Sequence, residues 1–199
     1  MSPNDTGAAY DRIASRWQEN TPDSYGIEQL GRAIRFARQR GRALDVGCGS
    51  TGRFVSQFEK EGFQAEGMDV SREMIALARE RNPGATFYVG DICRWDAPSA
   101  YDLITAWDST FHLPLAAQGP VTRKLCAALA PGGVLLFTCG GGAPGAITGS
   151  FWDEDFSYST LGVEGFVAVI QEGGCYCRHV EYDQLPENHV CVIAQKAES

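Results

Sequence analysis

The sequence lacks an apolar run long enough to cross a bilayer, and its first residues lack the apolar core of a signal peptide. We therefore expect no membrane association and a cytoplasmic location. The seven cysteines form no C-x-x-C pair, their number is odd, and most have apolar neighbours. This pattern is typical of small buried residues in a reducing compartment rather than of a disulfide framework.

An excess of positive charge is also missing, because the formal net charge is -8. A chain this acidic would repel nucleic-acid phosphates unless it carried a local basic patch. The nearest candidate is the arginine-rich stretch GRAIRFARQRGR, residues 31–42. We interpret it as an amphipathic helix that turns Ala33, Ile34, Phe36 and Ala37 inward and its arginines toward water.

The chain has 199 residues, of which 44% are hydrophobic and 21% charged, which is ordinary for one globular domain. From residue 43 onward, short strand-like runs alternate with helical ones. This rhythm predicts β-α-β units and a mostly parallel sheet covered by helices on both faces. The strands are expected at residues 43–46, 65–69, 86–89, 102–107 and 134–138, and helices at 54–62, after Ser71, at 115–130 and at 163–171.

The last part of the chain departs from that rhythm. Two further strand-like runs, residues 175–182 and 189–194, are separated by a short turn-rich link with no room for a crossover helix. These two runs are therefore predicted to pair antiparallel.

The stretch LDVGCGSTGRF, residues 44–54, contains G-x-G-x-x-G between a predicted strand and a predicted helix, the context of a nucleotide-binding loop. Asp45 precedes the first glycine, Gly47. A carboxylate at this place would oppose a pyrophosphate but attract an ammonium or sulfonium group, and S-adenosylmethionine carries both. The alternative interpretation of Asp45 is an ordinary turn or capping carboxylate.

Two more acids end predicted strands. Asp69 lies about twenty residues after the glycine loop, the distance from which an acidic side chain reaches ribose hydroxyls. Asp91 ends the third strand, where its carboxylate can accept a hydrogen bond from an adenine amino group, with the amide of Ile92 facing the ring. Ligands of open α/β sheets bind at this edge, so three acids here favour a binding site over turn residues.

On these motifs the chain resembles the class I S-adenosylmethionine-dependent methyltransferases. The resemblance rests on LDVGCGSTGRF, GMDVS, GDI, YDLITAWDSTFHL and LAPGGVLLF, whose order covers residues 43–137. It implies a doubly wound α/β fold with a seven-stranded sheet of order 3-2-1-4-5-7-6 and an antiparallel last strand. A single methyltransferase domain, 1–199, would comprise an N-terminal helical cap (1–40), a cofactor-binding core (43–138), a substrate-lid insertion (139–162) and a closing helix and hairpin (163–199).

The resemblance also implies roles for individual residues. The methionine part of the cofactor would be held by Asp45 and the loop Gly47-Cys48-Gly49, the ribose by Asp69 beside Val70, and the adenine by Asp91 and Ile92. Trp107 would face the sulfonium, since aromatic faces attract cations. The helix containing YDRIASRW would fold over the cofactor, with Tyr10 near its methionine part. Tyr10 and Trp107 can alternatively be core residues.

The expected reaction is in-line attack by a small-molecule nucleophile on the methyl group, which chiefly requires alignment and exclusion of water. His112 is the candidate general base and Asp108 a candidate for orienting a cationic or hydroxylated substrate. The aromatic residues Phe151, Trp152 and Tyr158 lie where the family builds its substrate lid. No N/D/S-P-P-Y/F motif follows the fourth strand, which further disfavours a nucleic-acid substrate.

Two other functions stay open at this point: a catalytically silent module that binds S-adenosylmethionine or S-adenosylhomocysteine, and an NAD-dependent oxidoreductase. A zinc site at Cys175, Cys177, His179, His189 and Cys191 is disfavoured, because residues spaced by two lie along a strand, whereas structural zinc ligands usually wrap the ion in turns. We expect no metal, and either a monomer or a homodimer.

Overall fold

The computed structural model describes residues 1–198 and shows a seven-stranded sheet with six helices and a separate hairpin. Within that range no helix is long and apolar enough to cross a membrane. The helices are α1 (Pro3–Asn20), α2 (Ile27–Phe36), α3 (Arg53–Lys60), α4 (Arg72–Arg81), α5 (Leu115–Ala128) and α6 (Gly162–Glu172). The strands are β1 (Arg42–Val46), β2 (Gln64–Asp69), β3 (Thr86–Val89), β4 (Tyr101–Ala106), β5 (Leu129–Gly140), β6 (Gly145–Phe151), β7 (Glu154–Thr160), β8 (Cys175–Tyr182) and β9 (His189–Lys196).

The main sheet has the order β3-β2-β1-β4-β5-β9-β8. Strands β1 to β5 are parallel, whereas β9 runs antiparallel to both β5 and β8. The predicted fold class and strand order are confirmed, because the sixth and seventh predicted strands are β8 and β9.

Alternating side chains of the central strands supply two apolar clusters, one on each face of the sheet. On one face, Leu44 belongs to a cluster with Leu125 of α5 and Ile170 of α6. On the other, Ala43 belongs to a cluster with Leu30 of α2 and Phe58 of α3. This two-sided burial explains why the β1 and β4 segments read as nearly continuous apolar runs.

Two local predictions are wrong. The fifth helix ends at Ala128 rather than near residue 130, and β5 begins at Leu129 rather than at residue 134. The ladder with β4 pairs Tyr101 with Leu129 and then Leu103 with Val134, so the Pro-Gly-Gly segment bulges out of the strand instead of ending the helix.

The second difference concerns residues 139–162, for which no strand was predicted. They contain the antiparallel hairpin β6–β7, which turns at Trp152 and Asp153. Both turn residues have positive φ, 48° and 67°, which is the conformation that two-residue hairpin turns require. The segment therefore places aromatic side chains on a paired backbone, next to α1.

The N-terminal helix is positioned by contacts with both the sheet domain and the hairpin. Asp11 accepts a hydrogen bond from the Ser71 hydroxyl, 2.6 Å, at the start of α4. Ser71 is the N-cap of α4, as predicted, and its Oγ accepts from the amide of Met74. On the opposite side Arg12 forms an ion pair with Glu154 of β7.

Candidate functional site

A pocket lies at the carboxyl ends of β1 to β4 and is covered by α1. It encloses about 860 Å³ when its open mouth is included. Eleven of the residues predicted for the site line it: Tyr10, Gly47, Cys48, Gly49, Asp69, Val70, Asp91, Ile92, Trp107, Asp108 and His112. The predicted cofactor loop, the strand-end acids and the segment after β4 are thus brought together by the fold.

The glycine loop has a shape that only glycine permits. Gly47 has φ +74°, and a Cβ at this position would lie 2.2 Å from the Cβ of Ser109. Gly49 also has positive φ, +61°. The amides of Gly47 and Cys48 both donate to the carbonyl of Met68, which fixes the loop on the end of β2. The loop therefore exposes backbone to the pocket at close range.

Asp69 is buried at the end of β2 with its carboxylate held by backbone amides. Oδ2 accepts from the amide of Gly49 at 3.0 Å, and Oδ1 accepts from the amide of Ser71 at 2.9 Å. Burial raises the pKa of Asp69 to about 6, while these amide hydrogen bonds oppose the shift. Each oxygen keeps a lone pair for a hydroxyl donor in the pocket.

Asp91 and Ile92 follow the end of β3 on the same edge. Oδ1 of Asp91 accepts from the amide of Cys93 at 2.9 Å, which orients the carboxylate. Ile92 is buried and belongs to the apolar cluster under α5. The pair offers an oriented acceptor next to an apolar surface, which is the combination that a planar heterocycle with an amino group requires.

Asp45 is the predicted cofactor residue that does not line the pocket. Asp45 pairs with Thr105 in the β1–β4 ladder, and its Oδ1 accepts from the Thr105 hydroxyl at 2.6 Å. Burial raises the pKa of Asp45 to about 6. The side chain thus faces its neighbouring strand, and direct contact with the positive part of a ligand is not what this geometry shows.

Arg53 lines the pocket and was missed in the sequence. It is the first residue of α3, directly after the glycine loop, and its Nε donates to the carbonyl of Tyr25 at 2.8 Å. Its guanidinium packs over the rings of Tyr25 and Phe54. Burial lowers the pKa of Arg53, and the nearby carboxylates of Asp45 and Asp108 oppose that shift. Its place after the last glycine was the available signal.

Asp108 is held in the pocket wall by four groups from distant parts of the chain. Its Oδ1 accepts from Nε2 of His189 at 2.7 Å and from the Thr138 hydroxyl at 3.0 Å. Its Oδ2 accepts from the Tyr25 hydroxyl at 2.6 Å, and the Thr138 hydroxyl accepts from its backbone amide at 2.8 Å. Asp108 has positive φ, 48°, a strained conformation that is common where structure is fixed for function.

His189 joins two carboxylates. Its Nδ1 lies 2.6 Å from Oδ1 of Asp183, and its Nε2 bonds Asp108. Burial lowers the pKa of His189, but the two carboxylates outweigh burial and the net shift is upward. Burial likewise raises the pKa of Asp108, but the bond from His189 turns the net shift downward. The arrangement favours an imidazolium between two carboxylates.

His112 is buried between α1 and the hairpin. Its Nδ1 lies 3.0 Å from the carbonyl oxygen of Ser157, so this nitrogen must carry the hydrogen. Nε2 is then the acceptor of the Tyr10 hydroxyl, at 2.8 Å. Burial lowers the pKa of His112 to about 4, so the imidazole is neutral at neutral pH. Its free lone pair is already engaged by Tyr10.

The predicted substrate residues Phe151, Trp152 and Tyr158 are not part of the pocket lining. Phe151 and Trp152 pack against Trp17 of α1, with ring centroids 5.9 Å and 6.1 Å away. Tyr158 packs against His112 at 4.9 Å. They therefore support residues that do line the pocket, Trp17 and His112.

Trp107 is buried in the wall between pocket and core. Its ring makes edge contacts with Tyr25 and Phe54 and lies 5.6 Å from the ring of His189. In the part of the chain that the structure describes, its indole N–H has no hydrogen-bond acceptor. Such a buried donor is costly unless a ligand pairs with it.

The residues proposed and disfavoured as zinc ligands have other roles in the fold. His179 and Glu181 bond Arg32 of α2, and His189 bonds Asp108. Residues 1–198 contain no group of three or more side chains that could hold a metal ion.

Comparison with known proteins places this pocket in context. Residues 43–133 match a family model described as a methyltransferase domain. The chain is 30% identical over 112 residues to the dTDP-4-amino-2,3,4,6-tetradeoxy-D-glucose N,N-dimethyltransferase of Saccharopolyspora spinosa, covering 53% of this chain and 45% of that protein. It is 39% identical over 112 residues to the trans-aconitate 2-methyltransferase of Acidovorax sp. (strain JS42), covering 55% and 41%. The chain thus spans less than half the length of these two curated relatives.

A solved structure with a similar fold is CalS10, an amino pentose methyltransferase from Micromonospora echinaspora involved in calicheamicin biosynthesis, determined with S-adenosylmethionine bound. The TM-score is 0.69 at 21% sequence identity, and the superposition covers 92% of this chain and 95% of that one. At this identity the likeness shows the fold.

Proposed function

We propose that this chain, which belongs to the Rossmann-like methyltransferases through the domain at residues 43–133, transfers a methyl group from S-adenosylmethionine to a small-molecule acceptor. One observation carries the proposal: the glycine loop, Asp69 and Asp91 line one pocket at the carboxyl ends of β1, β2 and β3. This is the edge at which ligands of open α/β sheets bind. The relatives named above are methyltransferases that act on small molecules.

The pocket residues fit S-adenosylmethionine part by part. The backbone of Gly47, Cys48 and Gly49 approaches closely, because a Cβ at Gly47 would clash with Ser109. Asp69 has lone pairs for the two ribose hydroxyls, with Val70 beside it, and Asp91 with Ile92 offers an acceptor and an apolar face to the adenine.

The methionine part is a zwitterion and needs both signs of charge. The Arg53 guanidinium and the unpaired Trp107 N–H would receive its carboxylate. Asp45 contributes at longer range, from behind the loop. When bound, S-adenosylmethionine supplies a methyl group on a positively charged sulfur, which is a good leaving group.

The chain itself aligns the acceptor, excludes water and handles a proton. Helix α1 covers the pocket with Tyr10 and Trp17, which removes competing water. A proton from the acceptor can be taken by the phenolic oxygen of Tyr10, as the Tyr10 hydroxyl proton passes to Nε2 of His112. His112 thus acts as a base through Tyr10, and Asp108 orients the acceptor. Phe151, Trp152 and Tyr158 shape the cover over the acceptor.

Calorimetric titration tests the cofactor first. S-adenosylhomocysteine should bind the purified protein at one site, whereas NAD⁺, which carries a pyrophosphate, should not. The reverse preference would reject the proposal. A labelled methyl donor incubated with a pool of small metabolites then tests transfer. Tight binding of S-adenosylhomocysteine without any transfer would instead identify a silent binding module.

A further inference from the structure

The pocket wall outside the glycine loop presents acceptors whose own protons are committed elsewhere. The Tyr10 hydroxyl donates to His112, and the Ser109 hydroxyl donates to the carbonyl of Val46 at 2.7 Å. The Thr6 hydroxyl donates to the carbonyl of Ser2 at 3.2 Å. Each of these oxygens therefore meets a ligand as an acceptor. A ligand that fills this part of the pocket must bring hydrogen-bond donors.

Asp108 adds charge to that acceptor surface. Its Oδ1 is fully used by His189 and Thr138, whereas Oδ2 receives only the Tyr25 hydroxyl and keeps one lone pair. The side chain is 18% exposed, so this lone pair is open to a ligand in the pocket.

The charges that line the pocket are three carboxylates, Asp69, Asp91 and Asp108, against one guanidinium, Arg53. Arg53 and the Trp107 N–H are the donors on the wall opposite in character, and both pack on the same two rings, Tyr25 and Phe54. A methionine carboxylate would occupy them. A carboxylate acceptor would then face Asp108 without a cationic partner, at a Coulombic cost that the low dielectric of the pocket increases.

Resting on the proposed function, we propose that the acceptor is an amine, that Asp108 receives its N–H groups, and that His189 and Asp183 are positioning residues for Asp108. In the transfer step the lone pair of the neutral amine nitrogen forms the new bond to the methyl carbon. The carbon–sulfur bond breaks with its electron pair going to sulfur, so the positive charge moves from sulfur to nitrogen. The N-methylammonium product then loses a proton to water. Asp108 stabilises the charge that develops on nitrogen.

Carboxylate and hydroxyl acceptors develop no such charge at the end of the reaction. A carboxylate becomes a neutral ester, and a hydroxyl becomes a neutral ether once its proton is lost. An anion fixed in the wall therefore favours an amine over both in the transition state. His189 keeps Asp108 in place through one strong bond, and Asp183 and the hydroxyl of Tyr25 complete the network.

The electrostatic part can be tested without knowing the acceptor. Sinefungin carries an amine-bearing carbon in place of the sulfonium of S-adenosylmethionine, so it places a cation where the methyl is transferred. In calorimetry with the wild-type protein it should bind more tightly than S-adenosylhomocysteine. Asp108→Asn should reduce that preference about tenfold or more and change the affinity for S-adenosylhomocysteine less than about threefold.

Asp96→Asn, at an exposed aspartate outside the pocket lining, is the matched control and should keep the wild-type preference. His189→Ala should lose most of the preference, and His189→Gln, whose amide can still donate to Asp108, should recover part of it. A merely structural role for His189 would instead change both affinities together. An unchanged preference in Asp108→Asn would overturn the proposal.

The product of the labelled-methyl experiment gives a second test. Labelled product should bind to a cation exchanger and resist mild base, as a methylamine does. A product that releases labelled methanol in base is a methyl ester, and one that is neutral and stable to base is an ether; either would overturn the amine assignment. If S-adenosylhomocysteine itself does not bind, the proposed function fails and not this assignment alone.

Discussion

The Tyr10 hydroxyl in the N-terminal helix donates to Nε2 of His112 at 2.8 Å, across 102 positions of sequence. Because Nδ1 of His112 donates to the Ser157 carbonyl, the histidine links α1, the segment after β4 and the hairpin through two bonds. The cover of the pocket and its candidate base are therefore parts of one hydrogen-bonded unit.

Tyr10→Phe should separate the chemistry from cofactor binding. The ring and its packing on Phe156 remain, but the proton path to His112 is removed. We expect turnover to fall at least about tenfold, and the free energy of unfolding to fall by about 1 kcal/mol, the usual net value of one hydrogen bond. Tyr176→Phe, at an exposed tyrosine of β8, is the matched control. A wild-type rate in Tyr10→Phe would exclude the relay.

The protonation of His112 should make stability depend on pH. The folded protein keeps His112 neutral with a pKa of about 4, whereas an unfolded histidine titrates near 6.5. Between these values the unfolded chain binds a proton that the folded protein does not. The contribution of His112 is thus complete above pH 6.5 and is lost as pH falls toward 4, by roughly 3 kcal/mol.

Urea unfolding of wild type and His112→Asn at several pH values checks this. The wild type should be the more stable, and the gap between the two should shrink as pH falls from 6.5 to 4. Comparison of the pair removes the opposite contributions of the buried carboxylates Asp45 and Asp69, which are common to both proteins. A gap independent of pH would show that His112 titrates normally.

Gly47→Ala should damage the glycine loop. The new Cβ would meet Ser109 at 2.2 Å, and φ of +74° is unfavourable for alanine. We expect a loss of at least about 2 kcal/mol in the free energy of unfolding and no measurable binding of S-adenosylhomocysteine. Gly31→Ala in α2, where a Cβ has open space, should instead be neutral or stabilise by about 0.5 kcal/mol. Equal melting temperatures for the two variants would contradict the loop geometry.

Asp69→Asn should weaken binding of S-adenosylhomocysteine by about 1–3 kcal/mol, because the amides of Gly49 and Ser71 would face an uncharged group and the ribose would lose its acceptor. Calorimetry measures the change, with Asp96→Asn as the control. Unchanged affinity would remove Asp69 from the site.

The ion pair between Arg12 and Glu154 should hold α1 to the hairpin. Arg12→Glu should weaken cofactor binding and speed amide hydrogen exchange in α1, while changing global stability by less than about 1 kcal/mol, since Arg12 is 57% exposed. Adding Glu154→Arg should restore both properties. A swap that fails to restore them would mean that the pair does not hold the helix.

The sheet and the cofactor side of the pocket were predictable because their signals are local. Leu44, Ile104 and their neighbours form short apolar runs, and the acids Asp69 and Asp91 end such runs directly. The rest required long-range geometry. Whether Asp45 faces the pocket or Thr105 depends on the direction of one side chain in the strand, and the glycine motif does not specify it.

The network around Asp108 escaped prediction for the same reason, since His189 is 81 positions away along the chain. A usable signal existed: the strand that begins at His189 is antiparallel to β5, and His189 pairs with Gly140 at the carboxyl end of β5. Tyr25 offered no such signal, because it lies in a turn between two helices. The hairpin β6–β7 was missed because its glycine-rich first strand has low strand propensity.

The reversed direction of β9 also sets how damage near the carboxyl end would appear. A shortened chain that stopped before residue 189 would keep the glycine loop, Asp69 and Asp91, and any cofactor affinity they provide. It would lose the cationic partner of Asp108 and leave that carboxylate buried beside Tyr25 and Thr138 alone. Cofactor affinity alone would therefore be a poor measure of whether such a truncated protein is intact, whereas recognition of the acceptor would report the loss at once.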